Sequence, residues 1–421
     1  MYKKFTLSNG IKVVMEHIPY INSISMGVWI LSGSRYENEV VNGVSHFIEH
    51  LMFKGTTNRT AKQIAEQIEE LGGQINAFTG KEATCYYVKL LDEHYKVGID
   101  VLSDMILNPK FSDEDIHKEK GVIIEEIKMY DDSPEDLVMD ILSKSTWGKD
   151  SLAYPILGYE NNIKDLKSKQ IKEYFNKTYA PENIVISIAG NFNSLVIEEE
   201  LERKFSHLKS GGINKAEFTS PNINRNVMVK NKDIEQTHVA FSLKGIELGN
   251  DKLYTLLAIN NYFGGGTSSK LFQKIREEKG YVYTIYSFPT VYKNVGTFNI
   301  YFALNEMFLD SAMELILEEF NNIIKFKMTD EEIKKAKEQL KGNYILGLES
   351  TSSRMFGLGK AELMLGEVHE PKEILDKIDQ IKRDDIEEVI DLVFRDGILS
   401  AASVGRNINE DKLQSLIWRK S

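Results

Sequence analysis

Phe111-Ser-Asp-Glu-Asp-Ile-His-Lys-Glu-Lys-Gly121 has a counterpart far downstream in Met328-Thr-Asp-Glu-Glu-Ile-Lys-Lys-Ala-Lys-Glu338. Working outward, the likeness continues. Asn76-Ala-Phe-Thr-Gly-Lys-Glu-Ala-Thr84 leads into the strand-like Tyr86-Tyr-Val-Lys-Leu-Leu91 and then a helix. Ser287-Phe-Pro-Thr-Val291 leads into the strand-like Thr297-Phe-Asn-Ile-Tyr-Phe-Ala-Leu304 and then a helix. Self-similarity of this length marks a duplicated unit. Between the copies, residues 209–225 hold Ser, Gly, Asn, Lys and a Pro with few large apolar residues, the composition of a linker. The expected division is an N-terminal domain at 1–210, a linker at 211–224 and a C-terminal homologous domain at 225–421, each of ordinary domain size.

Apolar periodicity of two residues predicts strands over 25–31, 84–91, 184–188, 237–243 and 297–304. Periodicity near 3.6 predicts helices over 62–71, 94–107, 113–130, 309–324 and 330–346, with Thr60 capping the first and Gly72-Gly73 stopping it. Asn9-Gly10 between two apolar runs reads as a tight turn joining strands. The strands come in runs rather than in strict alternation with helices. The expected class is α+β: two tandem homologous domains, each a mainly antiparallel sheet with helices packed on one face.

The bulk properties of the 421 residues bound the function. The chain is 42% apolar and 27% charged, an ordinary globular composition. A net charge of -11 argues against nucleic acid, which calls for a basic stripe. The single cysteine, Cys85, excludes an intrachain disulfide and suits a reducing compartment. The first ten residues lack the apolar core of a signal peptide, and no segment approaches the ~20 apolar residues that span a bilayer. The expected location is the cytoplasm, with no membrane partner.

Chemistry concentrates in Gly43-Val-Ser-His46-Phe-Ile-Glu49-His50-Leu-Met-Phe-Lys-Gly55. On a helix, His46 and His50 share one face and Glu49 lies on its edge. Two neutral imidazoles suit Zn²⁺, whose catalytic sites hold three protein ligands and leave a position for water. The H-x-x-E-H order is that of inverted zincins. A third ligand can be sought on the helix predicted over 113–130. With Ile123 at the centre of its apolar face, Ile116 and Ile127 fall beside it, and so do Glu119 and Glu126. Glu114 and Glu125 fall on the opposite side. Carboxylates on an apolar face are costly unless paired, hydrogen-bonded or metal-bound.

His46-Phe-Ile-Glu49-His50, followed by Glu126 with Glu119 seven residues before it, resembles the pitrilysin/insulinase family of zinc peptidases. The contexts Gly72-Gly73-Gln-Ile-Asn76-Ala77-Phe78-Thr79 and Lys120-Gly-Val-Ile-Ile-Glu125-Glu126 share the resemblance, which covers essentially the whole chain. It is closest to the short two-domain branch that includes the mitochondrial processing peptidase and its bacterial relatives. The resemblance implies one zinc ion per chain, held by His46, His50 and Glu126. It also implies Glu49 as general base, Glu119 as the acid that orients a ligand, and Asn76, Ala77, Phe78 and Thr79 as an edge strand that pairs with an extended peptide. In the second half, Leu256, Ile259 and Asn260 stand where His46, Glu49 and His50 stand, and Ala336 and Asn343 replace Glu119 and Glu126. That half instead carries Gly264-Gly-Gly-Thr-Ser-Ser-Lys270-Leu-Phe-Gln-Lys-Ile-Arg276-Glu-Glu-Lys-Gly280-Tyr-Val-Tyr283. There the resemblance implies that Arg276 and Tyr283 reach the substrate. The implied activity is hydrolysis of unfolded or short peptides by a homodimer. Two alternatives stay open at this point: a non-catalytic scaffold or partner subunit of the same fold, and a module that binds peptides without cutting them.

Overall fold

The computed structural model describes residues 2–211 and 218–418. Residues 212–217 of the expected linker lie outside the described residues, and the flanking 209–211 and 218–225 have no regular structure. The chain packs into two compact units. Unit 1 comprises Met1–Lys128, Tyr154–Glu217 and Leu346–Glu370; unit 2 comprises Met129–Ala153, Phe218–Ile345 and Pro371–Ser421. The units are therefore not contiguous in sequence. Each borrows a short segment from the other half of the chain, which a single division at 211–224 does not capture.

Unit 1 is built on β1 (Tyr2–Thr6), β2 (Lys12–His17), β3 (Ser23–Ile30), β4 (Gln74–Thr79), β5 (Thr84–Leu91) and β6 (Ile184–Gly190), in the order β1-β2-β6-β3-β5-β4. Only β2 and β6 run parallel; the other pairs are antiparallel. Unit 2 uses β7 (Asn226–Asn231), β8 (Thr237–Lys244), β9 (Val282–Tyr292), β10 (Val295–Leu304) and β11 (Ser400–Gly405), in the order β7-β11-β8-β10-β9. Here only β7 and β11 are parallel. The second order repeats the first without its outermost strand, so the duplication read in the sequence is a duplication of topology. The turn at Asn9-Gly10 joins β1 to β2, with Gly10 at φ +99°.

The helices that matter for the site are α1 (Val44–Met52), α2 (Asp113–Asp132), α3 (Pro134–Trp147), α4 (Leu253–Phe263) and α5 (Thr351–Leu365). Along β3, Ile24, Met26, Val28 and Ile30 face the main core of unit 1 together with Phe47, Ile48 and Leu51 of α1. The alternate residues face the other side, because successive side chains of a strand point to opposite faces. Ser25 Oγ lies 2.9 Å from Thr351 Oγ1 of α5. A Cβ on Gly27 would come within 2.5 Å of Met355 Sδ. Helices thus cover both faces of this sheet, and α5 comes from the C-terminal half. Unit 2 repeats the arrangement. Val239, Phe241 and Leu243 of β8 face its main core, while Ala240 packs with Leu137, Val138 and Leu142 of α3. Small residues on the second face let a helix approach the sheet closely.

Candidate metal centre and active site

The start of α1 is fixed by two features. Gly43 holds φ +94°, and a Cβ there would meet Leu157 O at 2.7 Å, so the position demands glycine. The amides of the first turn, which lack partners within the helix, are met from outside it. The buried carboxylate of Glu37 accepts from Gly43 N at 2.7 Å, Ser45 N at 2.7 Å and Asn42 Nδ2 at 2.9 Å. Burial pushes this carboxyl's pKa up against those stabilising bonds. Val44, Phe47, Ile48 and Leu51 then lock the rotation of α1 into the core. His46 and His50 are left facing α2, and Glu49 meets the end of β4.

On α2, Ile116 and Ile123 are buried in the core of unit 1. Glu119, between them, is only 3% exposed. Glu125 sits at the surface paired with Lys128 at 2.6 Å. Glu126 turns inward: its Oε2 lies 3.4 Å from His50 Nε2 and 3.8 Å from His46 Nε2. One ligand atom from each of His46, His50 and Glu126 falls within 4.8 Å of the other two. Zinc bonds of about 2.0–2.1 Å at tetrahedral angles place donor atoms roughly 3.3 Å apart. The donor set and its spacing therefore fit a zinc ion after a small contraction.

The surrounding charges support the same reading. Burial, aided by the neighbouring His50, pushes the His46 imidazole down to about 4, against the pull of Glu126. His50 is also disfavoured as a cation by burial, but its bonds to Glu119 and Glu126 outweigh this and raise it to about 9. One carboxylate, Glu126, thus lies between two imidazole Nε2 atoms, a donor set suited to a dication, while Glu119 holds the far nitrogen of His50. Glu119 Oε2 lies 3.1 Å from His50 Nδ1, and its other oxygen lies 2.7 Å from Lys54 Nζ. A carboxylate on the far nitrogen fixes the ring so that Nε2 faces inward. Burial opposes the charge on Glu119, yet its bonds to His50 and Lys54 hold its pKa below the usual range. Glu49 accepts a hydrogen bond from Thr79 Oγ1. Burial raises its pKa and the Thr79 bond lowers it.

Asn76, Ala77, Phe78 and Thr79 lie on β4, which pairs only with β5 and ends the sheet. Thr79 reaches Glu49, so this strand end and α1 meet. Arg276 and Tyr283 belong to unit 2. Arg276 sits in a turn of π-helix, Phe272–Glu278, and its Nε donates to Tyr283 O at 2.9 Å. The Tyr283 ring is 71% exposed. Cys85 is a free buried thiol whose pKa burial raises well above its usual value. In unit 2, Leu256 and Ile259 of α4 and Ala336 are buried in the core. Asn260 Oδ1 accepts from Ser287 Oγ at 2.8 Å, and Asn343 is exposed. The sequence reading passed over Glu37. Its signal is an acid six residues ahead of a glycine that opens the motif helix, but only the folded loop brings the two together.

The first half of the chain, residues 12–160, matches the insulinase family profile, peptidase family M16. Residues 165–340 match the M16 inactive domain, which agrees with the loss of the donor residues in unit 2. An uncharacterized zinc protease of Bacillus subtilis is 41% identical over 90% of this chain and 93% of its own length. One from Rickettsia felis is 36% identical over 95% of this chain and 97% of its own. Among solved structures, a protease from Helicobacter pylori shares the fold with a TM-score of 0.88, 21% identity, and coverage of 96% of this chain and 98% of that one. A peptidase M16 inactive domain from Pseudomonas fluorescens does so with a TM-score of 0.89, 17% identity, and coverage of 97% and 99%. Among the described residues no helix is long and apolar enough to cross a membrane. The chain belongs to the insulinase family of peptidases, family M16, and its general function is that of a peptidase.

Proposed function

We propose that this chain is a zinc-dependent endopeptidase acting on unfolded or short peptides, with one zinc ion per chain held by His46 Nε2, His50 Nε2 and Glu126. The observation that carries the reading is the convergence of those three donors, with a general base one residue before His50 on the same helix. Bound there, zinc would make a water molecule acidic enough to lose its proton near neutral pH and would polarise a carbonyl oxygen. Glu49 would serve there as the general base, its carboxylate holding a proton and passing it on to the departing amide nitrogen. Glu119 holds the His50 ring in place through Nδ1. The open edge of β4, from Asn76 to Thr79, pairs with the backbone of an extended peptide, a mode that reads side chains only loosely. Arg276 and Tyr283 are proposed as donors to the developing oxyanion, a role suited to a guanidinium and a phenol. By likeness to the short branch of the family, the working form is proposed to be a homodimer in the cytoplasm.

The test uses a panel of unstructured peptides with wild type and Glu49→Gln, each with and without a chelator. Cleavage by wild type, at least ~10³-fold faster than by Glu49→Gln and abolished by the chelator, is the expected result. Equal cleavage by both proteins, or cleavage indifferent to chelation, sinks the mechanism.

A further inference from the structure

Thr79 is the last residue of β4, at the end of the open edge, and its hydroxyl hydrogen goes to Glu49 Oε2. Across the ladder it faces Thr84, whose hydroxyl donates to Ser32 O at 3.0 Å. The turn that follows Thr79 is pinned from one side. Gly80 N donates to Ala83 O at 2.8 Å, and Arg35 N donates to Lys81 O at 2.8 Å. The buried Arg35 guanidinium pairs with Glu82 at 2.5 Å. A Cβ on Gly33 would sit 2.3 Å from Gly80 O, so the two backbones lie directly against each other. Two residues beyond Arg35, Glu37 caps α1. One short segment, residues 32–37, therefore holds both the strand end that carries Thr79 and the helix that carries Glu49.

The terminal torsion of a glutamate is broad and roughly two-fold, so an unrestrained Glu49 carboxylate would rotate. A threonine hydroxyl bonded to one oxygen stops that rotation and leaves the other oxygen free to take a proton. Resting on the endopeptidase reading above, we propose that Thr79 is a positioning residue. Its hydroxyl orients the general base, and its backbone belongs to the strand that receives the peptide, so peptide pairing and base orientation share one residue. This role is separate from the backbone pairing assigned to residues 76–79.

The experiment compares zinc-loaded wild type, Thr79→Val, Thr79→Ala and Thr79→Ser on one fluorogenic unstructured peptide, with zinc content and melting midpoint measured for each. Valine keeps the shape and strand preference of threonine and removes only the hydroxyl, while alanine removes the hydroxyl without adding bulk should valine misfold. The expected result is a fall in kcat of about 10–100-fold for the Val and Ala variants, the size typical of lost outer-shell partners. KM should stay within about twofold, and Thr79→Ser should keep kcat within about threefold of wild type. Unchanged kcat in folded, zinc-bound Val and Ala variants overturns the proposal. So does a rise in KM alone, which would make Thr79 a substrate contact only, or a Ser variant as slow as the Val variant. A zinc-bound wild type that cuts no peptide overturns the endopeptidase reading together with this inference. An active wild type with an unaffected Val variant overturns the inference alone.

Discussion

Units 1 and 2 share one strand order, one parallel pair apiece and one helix borrowed from the other half of the chain. Where they differ is in the residues between the first helix and the long helix behind it. Unit 1 has His46, His50, Glu119 and Glu126 on these helices; at the positions matched to them in sequence, unit 2 has Leu256, Asn260, Ala336 and Asn343. Leu256 is fully buried, which stabilises unit 2 by about 1.5–3 kcal/mol. His46 is nearly as buried, 7% exposed, and burying a polar ring without partners is costly. The fold thus stands without the polar cluster, and the cluster is kept at some expense in stability. That is the pattern of a functional site laid on a scaffold rather than of a structural network.

The largest expected effect comes from writing the unit 2 residues into unit 1. The double variant His46→Leu, His50→Asn should lose zinc and fall at least ~10³-fold in peptide hydrolysis, while its melting midpoint holds or rises. A double variant that still cleaves would break the comparison, since the difference between the units would then not be the source of activity. A smaller effect separates the two helix starts. In unit 1, Glu37 meets two backbone amides of α1; in unit 2 the start of α4 has no side-chain cap, and Asn250 Oδ1 accepts only from Lys252 N at 2.9 Å. Glu37→Ala strands buried donors and should destabilise by about 1–3 kcal/mol. Asn250→Ala should cost roughly 0.5–1 kcal/mol. Chemical unfolding followed for both variants checks this, and equal losses would show that the two starts are equivalent after all. The smallest effect concerns the borrowed helix α5. A Cβ on Gly359 would fall 2.0 Å from Trp29 Nε1, whereas one on Gly357, two residues away on nearly the opposite face of the same helix, meets nothing within 4 Å. Gly359→Ala should lose about 1–2 kcal/mol through overpacking. Gly357→Ala should gain about 0.5–1 kcal/mol from helix propensity. Matching shifts in the two midpoints would mean that α5 does not pack closely on β3.

Much of this was legible in the sequence, for reasons that particular residues show. The run 84–91 was predicted as a strand and forms β5 over the same residues, because its apolar alternation and its bounding loops act locally. Helical periodicity set Glu119 and Glu126 on the inner face of α2 and Glu125 on the outer. In the structure the first two lie beside the histidines, and Glu125 pairs with Lys128 at the surface. What stayed hidden depends on distant partners. The small residues Ser25, Gly27 and Ala240 do mark a second packed face on their strands. No local pattern, however, says that α5 covers the first two and α3 the third. Glu37 and Arg35 read as loop charges, since their work lies in amides and a carboxylate that only the folded chain brings to them. Thr79 read as strand, and its hydroxyl's partner on α1 followed no periodicity.

The most direct test of the central claim is zinc stoichiometry by elemental analysis, on wild type and on Glu126→Gln, after zinc loading and removal of excess metal. One zinc per wild-type chain and well under one per Glu126→Gln chain is the predicted result, since the three donors of unit 1 act together. No zinc on wild type, or an undiminished content in Glu126→Gln, would contradict the account and place any metal elsewhere than between α1 and α2.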